Sequence, residues 1–199
     1  MKKILLLALL LLTQTALQAQ TEKGRWTAGV SVGSFSYQMN EGYYNFSANL
    51  SPSAGRFIAP NFLIGIGVPL SLSSSRYGTS TNSNSAVGVA PFARYYFGTS
   101  SLKPFSGLAL SYEYINQRSE NAPALLTTTR GNKLGVIPSL GLAYFINRSI
   151  SLDAQLNYNW SKSNLTGTDN SGFPYNEKSS YTTKNATLTL GFNIFFGEQ

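Results

Sequence analysis

The segment Lys184–Phe196 alternates its side chains with a period of two. Leu188, Leu190, Phe192, Ile194 and Phe196 fall on one face. Thr187, Thr189, Gly191 and Asn193 fall on the other, where Phe195 is the one large apolar residue. Successive side chains of an extended chain point to opposite sides, so the pattern specifies a strand with an apolar face and a polar or small one. The same alternation recurs in Ile150–Ser161, where Leu152, Ala154, Leu156, Tyr158 and Trp160 oppose Ser151, Asp153, Gln155, Asn157 and Asn159. In Phe62–Ser73 a row from Phe62 to Leu72 opposes a set that includes Gly65, Gly67 and Ser71. In Pro104–Asn116, Leu108, Leu110, Tyr112 and Tyr114 oppose Gly107, Ala109, Ser111 and Glu113. Nothing in the chain reaches the about 20 apolar residues of a helical membrane span, so any crossing of a bilayer must use strands.

Eight such segments succeed one another: Trp26–Tyr37, Asn45–Phe57, Phe62–Ser73, Ser85–Phe97, Pro104–Asn116, Lys133–Phe145, Ile150–Ser161 and Lys184–Phe196. The connections alternate in length. Ile58–Asn61, Gly98–Lys103 and Ile146–Ser149 are short, whereas Gln38–Tyr44, Ser74–Asn84, Gln117–Asn132 and Lys162–Thr183 are mostly longer and rich in Ser, Thr, Asn and Gly. In an up-and-down barrel alternate connections share an end, so this ordering puts short turns at one end and long loops at the other. Ahead of the strands, Lys2 and Lys3 precede an apolar run Ile4–Leu12 and a polar stretch to Ala19 and Gln20. That is the layout of a cleaved signal peptide over residues 1–19, leaving a single barrel domain over 20–199. No Cys follows the cleavage region to carry a lipid anchor.

Alternation by itself leaves the sidedness open. A soluble lipocalin-like barrel would use the same pattern with its apolar face inward. Charge content separates the two. Only 12% of residues are charged, against about 25% in ordinary soluble domains. A lipid-facing wall tolerates few charges, since Arg or Lys at mid-bilayer on a barrel costs about 2–4 kcal/mol. The net charge of +7, or +5 once Lys2 and Lys3 are removed, suits contact with lipopolysaccharide phosphates. It forms no dense basic run of the kind that binds nucleic acid. Aromatic residues gather near strand ends (Trp26, Tyr37, Tyr43, Tyr44, Tyr95 to Phe97, Phe105, Tyr112, Tyr114, Tyr144, Phe145, Tyr158 and Trp160) and are expected to form two interfacial girdles.

Within the final strand, Thr189, Gly191, Ile194 and Phe196 read polar, Gly, large apolar, aromatic at spacings of two, three and two. This resembles the C-terminal assembly signal of bacterial outer-membrane β-barrels, although here it ends three residues before the terminus. The resemblance implies the barrel-assembly machinery as a partner during biogenesis and a place in the small OmpA/OmpX-like barrel superfamily.

Chemistry is constrained by absences. With no His and no Cys, Ser–His and Cys–His nucleophiles and imidazole or thiolate metal ligation are all impossible. The carboxylates Glu113 and Asp153 fall at opposite heights, which does not suit a hydrolytic pair. No catalytic residue, metal or cofactor is expected. Arg94, Asp153, Glu113 and Lys133 all fall on the small or polar face, and charges in a shielded lumen must pair or be hydrated. Pairing of Arg94 with Asp153 across the lumen and of Glu113 with Lys133 on adjacent strands is expected. The last connection adds Phe173, Tyr175, Lys178 and Tyr181, the foremost candidates for contact with an extracellular partner.

The reading is all-β: an eight-stranded antiparallel up-and-down transmembrane β-barrel of the outer membrane, exported by its leader. Its expected role is non-enzymatic, a membrane scaffold displaying extracellular loops for envelope integrity, adhesion or ligand contact. The alternatives are a small-molecule channel or transporter and a soluble lipocalin-like barrel.

Overall fold

The computed structural model describes residues 21–121, 125–169 and 177–197; the expected leader lies outside them. Strands make up most of the described residues: β1 (Trp26–Asn40), β2 (Tyr43–Ala59), β3 (Phe62–Gly67), β4 (Leu70–Tyr77), β5 (Ser80–Tyr96), β6 (Leu102–Asn121), β7 (Leu125–Asn147), β8 (Ile150–Asp169) and β9 (Glu177–Phe196). Each pairs antiparallel with its neighbours, and β1 pairs with both β2 and β9, so the sheet closes on itself.

β3 and β4 share the neighbours β2 and β5 and form one stave, which makes eight staves in the ring. The break falls at Val68–Pro69, because proline has no N–H to give the ladder. Its flanks remain tied: Val68 N–H donates to the Pro52 carbonyl at 2.8 Å and Gly88 N–H to the Pro69 carbonyl at 3.1 Å. Ladders also skip a step beside Pro91, between Val89↔Tyr112 and Phe92↔Ala109, and beside Pro138, between Val136↔Trp160 and Ser139↔Asn157.

Sidedness is that of a membrane barrel. The apolar faces point outward, and Leu134, Leu140, Leu156, Leu188 and Leu190 are each more than half exposed. At the start of β8, burial alternates strictly, with Ser151 and Asp153 inside and Leu152 and Ala154 outside. In β1 the alternation changes phase at a bulge between Val32 and Ser34, so Val30 and Val32 and then Phe35, Tyr37 and Met39 all face out. The extra residue of a bulge is what moves odd-numbered residues onto the outer face.

The long loops expected at one end are mostly strand. β1 and β2 meet at a two-residue turn, Glu41–Gly42, in which Gly42 takes φ 74°, a left-handed conformation that glycine adopts without steric cost. β4 and β5 meet at Gly78–Thr79. Residues 117–121 and 125–132 extend β6 and β7, and most of Lys162–Thr183 extends β8 and β9. Ser, Thr and Asn pair readily as a hydrated two-stranded ribbon, and their polarity in sequence imitates loop composition. At about 3.4 Å per residue, the 20 residues of β8 run well beyond the apolar band of about 25 Å that a transmembrane barrel needs.

Candidate functional site

The lumen has two halves of different chemistry. At the end where β1 begins and β9 finishes, five strands each direct one aromatic ring inward: Phe57 from β2, Tyr96 from β5, Phe105 from β6, Phe145 from β7 and Phe195 from β9, joined by Leu63 and Ala143. All are essentially inaccessible to solvent. Ring centroids lie 5.2 Å apart for Phe145–Phe195, 5.6 Å for Tyr96–Phe105 and 5.8 Å for Phe57–Tyr96, within the range of favourable tilted and edge contacts. This is a floor across the barrel. Glycine makes room for it: a Cβ on Gly141 would overlap the Phe105 ring, and one on Gly65 would lie 2.6 Å from the ring of Phe92, which packs on the same cluster.

The floor corrects the expected girdles. Tyr96, Phe105 and Phe145 are not interfacial rings but lumen residues, whereas Trp26, Tyr95, Phe97, Tyr112, Tyr114, Tyr144, Tyr158 and Trp160 do face outward. Phe195, the exception on the polar face of the last strand, is 1% exposed within the floor.

Cations lie on both sides of the aromatic layer. Above it, the Arg94 guanidinium carbon sits 4.1 Å from the Phe105 centroid and 5.8 Å from that of Tyr96. Below it, Lys103 Nζ sits 5.4 Å from the Phe145 centroid and donates to Thr21 Oγ1 at 3.0 Å. Attraction of a desolvated cation to a ring face contributes about 2 kcal/mol or more. The segment Thr21–Arg25 folds over this end. Gly24 N–H donates to the Phe57 carbonyl at 2.8 Å, Asn61 N–H to the Thr21 carbonyl at 2.8 Å, and Arg25 Nη2 to the Phe195 carbonyl at 3.2 Å. Burial pulls the Arg25 guanidinium below its ordinary pKa, and the Glu22 carboxylate opposes the shift.

On the upper face of the floor the structure brings Arg94 and Asp153 together. Arg94 Nη1 donates to Asp153 Oδ2 at 2.6 Å and to Tyr96 Oη at 3.2 Å, and Nη2 donates to Gln155 Oε1 at 2.8 Å. Ser151 Oγ donates to Asp153 Oδ1 at 2.8 Å, and Asn193 Nδ2 donates to Ser151 Oγ at 3.3 Å. On the other side Gln155 Nε2 donates to Asn157 Oδ1, and Asn157 Nδ2 donates to Thr189 Oγ1 at 3.1 Å. One connected network thus spans β5, β8 and β9. Farther up, Lys133 Nζ lies 2.8 Å from Glu113 Oε2, on residues paired directly across β6 and β7.

The four closing-strand residues divide between the two faces. Thr189 joins the lumen network, Gly191 sits opposite Asp153, and Ile194 and Phe196 face out about half exposed. Of the four loop candidates, Phe173 and Tyr175 lie outside the described residues. Lys178 is exposed on β9, and Tyr181 borders the lumen.

Above the floor the lumen widens into a cavity of about 660 Å³, about half of whose lining residues are Ser, Thr, Asn or Gln. Its wall is incomplete on one side. β1 pairs with β9 only from Trp26↔Phe196 to Val32↔Leu190. Beyond that rung β1 continues to Asn40 and β9 starts at Glu177, each bonded to its other neighbour alone. A notch therefore opens between first and last strands in the outer half. Among the described residues no helix is long and apolar enough to cross a membrane, and no group of three acidic, His or Cys residues is placed to hold a metal.

The floor was not anticipated from the sequence, nor were Lys103 and Arg25. A trace existed: Phe57, Tyr96, Phe105, Phe145 and Phe195 each occupy the small or polar parity of their strand near the same end.

Known proteins agree with this architecture. The sequence profile of the outer membrane protein β-barrel domain matches residues 4–199. No curated protein matches the sequence. Among solved structures, a major outer membrane protein from Thermus thermophilus is 15% identical, with 88% of this chain and 100% of that one covered at a TM-score of 0.59. The outer membrane protein OprG from Pseudomonas aeruginosa is 12% identical, with 90% and 99% covered at 0.57. Neisserial surface protein A is 17% identical, with 85% and 95% covered at 0.51. At these identities the likeness is one of fold.

Proposed function

The chain belongs to the outer membrane protein β-barrel domain family, and on that premise we propose that it is a non-enzymatic, non-conducting scaffold of the outer membrane. Its wall anchors it in lipid, with the floor end toward the periplasm. Its tall outer hairpins are presented for envelope integrity, adhesion or ligand contact. The observation that carries this reading is the aromatic floor with Arg94 above it and Lys103 below. Among the described residues, packed rings of this kind oppose the passage of water, and the paired charges add an electrostatic barrier to ions. Eight staves suit the role, since an interior of that width is narrow enough for one layer of side chains to close it. The outer wall meets lipopolysaccharide and lipid, and the closing strand meets the barrel-assembly machinery during insertion.

Planar-bilayer recording of the purified full-length protein tests the reading. Conductance at the level of the protein-free membrane is expected. Large and steady wild-type conductance would replace the scaffold with the channel alternative.

A further inference from the structure

The cavity above the floor is of the size of ligand pockets, which span about 300–1,000 Å³ and combine apolar walls with placed polar groups. Its volume of about 660 Å³ falls in that range, and about half of its lining residues carry a hydroxyl or amide, among them Asn49, Ser71, Gln117, Asn157 and Thr187. Such groups both donate and accept, so they match a ligand that does the same at many points. The charged wall residues are Arg94, Glu113 and Lys133, and each is engaged in a short ion pair. Among the described residues the wall therefore offers no free charge to select an ion, and a neutral ligand fits it best. Asn84 lines this space, and its side-chain oxygen, shielded from solvent, takes no hydrogen bond among the described residues. Tyr181 lines the cavity from the part of β9 that pairs with β8 but not with β1.

We propose that the outer lumen is a binding cup for the terminal sugars of a neutral oligosaccharide. Hydroxyl-rich rings supply matched donors and acceptors, and their C–H faces suit the Tyr181 ring. The aromatic floor stops the ligand from passing through. The notch between β1 and β9 lets the rest of the saccharide leave sideways, so the cup takes a chain end and not only a free monosaccharide. The inference rests on the closed-floor scaffold reading and gives it a ligand.

The test uses the full-length barrel in lipid nanodiscs. Glucose-, galactose- and mannose-based tri- to hexasaccharides are titrated by calorimetry, with an oligouronate of matched length as the charged control. Saturable binding of at least one neutral series is expected, with weaker binding of the oligouronate. Tyr181→Ala should weaken it by about tenfold, the equivalent of 1.4 kcal/mol. Ser71→Trp, which fills the cup from the wall, should abolish it while the barrel keeps its heat-modifiable migration in gel electrophoresis. Binding of none of the neutral series, or binding that survives both substitutions, would overturn the proposal. Conductance separates the two readings. A closed barrel that ignores every sugar sinks the cup alone, whereas a conducting barrel sinks the floor whatever it binds.

Discussion

The central carbon of the Arg94 guanidinium lies over Phe105, 4.1 Å from the ring centroid, while the same group donates to Asp153 at 2.6 Å. The residue thus ties the charged network of the lumen to the aromatic floor beneath it. Removing the carboxylate would leave a shielded cation with only neutral partners. Asp153→Ala is expected to destabilise the barrel by about 3–5 kcal/mol, and Arg94→Ala by a similar amount. The double variant should lose less than the two single losses added together, because the second removal deletes an already unpaired charge. Urea unfolding of refolded barrel in lipid vesicles measures all three, and simple additivity would show that the pair is not coupled.

The floor should be the permeability barrier. Combining Phe105→Ala with Phe145→Ala removes two central rings and leaves a void beside Tyr96. Conductance in planar bilayers is expected to rise well above wild type for this variant. Stability should fall too, since each Phe→Ala in a packed site costs about 3–5 kcal/mol. A folded double variant that stays as tight as wild type would move the barrier elsewhere in the lumen.

Two glycine substitutions contrast close packing with open lumen. A Cβ on Gly141 would overlap the Phe105 ring and approach the Ala154 carbonyl oxygen to 2.6 Å, whereas one on Gly33 would meet Thr189 Cγ2 at 3.4 Å. Gly141→Ala should therefore cost about 1–3 kcal/mol through overpacking, and Gly33→Ala much less. Thermal gel-shift midpoints compare them directly. Equal midpoints would mean that the floor yields to an added methyl group.

Assembly should depend on Phe196 more than on the three residues after it. Phe196 pairs with Trp26 at the first rung of the closure and keeps its ring outward, while Phe195 beside it is in the floor. Removing residues 196–199 is expected to reduce outer-membrane insertion sharply, and removing 197–199 only slightly. Cell fractionation measures both, and equal insertion of the two truncations would dismiss the closing strand as an assembly signal.

The β8–β9 hairpin is the expected contact element. Gly167↔Glu177 is its last described rung, so replacing 167–177 with a short Gly/Ser turn should trim the tip and spare the barrel. Binding to the cell-surface partner should drop, with heat modifiability unchanged. Undiminished binding by the folded variant would assign recognition to another hairpin.

Strand number and sidedness could be read from the chain because they depend on local quantities. In Ile150–Ser161 each inward residue is followed by an outward one, and the near absence of charge on the outward set leaves lipid as its natural solvent. The Arg94, Asp153, Glu113 and Lys133 positions were legible for the same reason, since parity alone puts them inside. The extended hairpins were not. Ser74–Asn84 has the composition of a loop, yet it pairs through almost its whole length because each strand presents a complete ladder to its neighbour.

By itself the sequence determined the alternation, and with it an all-strand wall with bulky apolar residues on one side and small or polar ones on the other. Only the tertiary structure decided what the inside contains. Phe57, Tyr96, Phe105, Phe145 and Phe195 come from five strands spread over most of the chain, and each looks like an isolated exception in its own segment. Closure of the ring brings them to one height, where ring contacts, Arg94 and Lys103 make them a single layer. The notch has a similar origin, because whether β1 meets β9 above Val32 and Leu190 depends on how the two ends of the sheet curve toward each other. Parity is a property of neighbours along the chain, whereas height and closure are set by the register of every strand pair around the barrel.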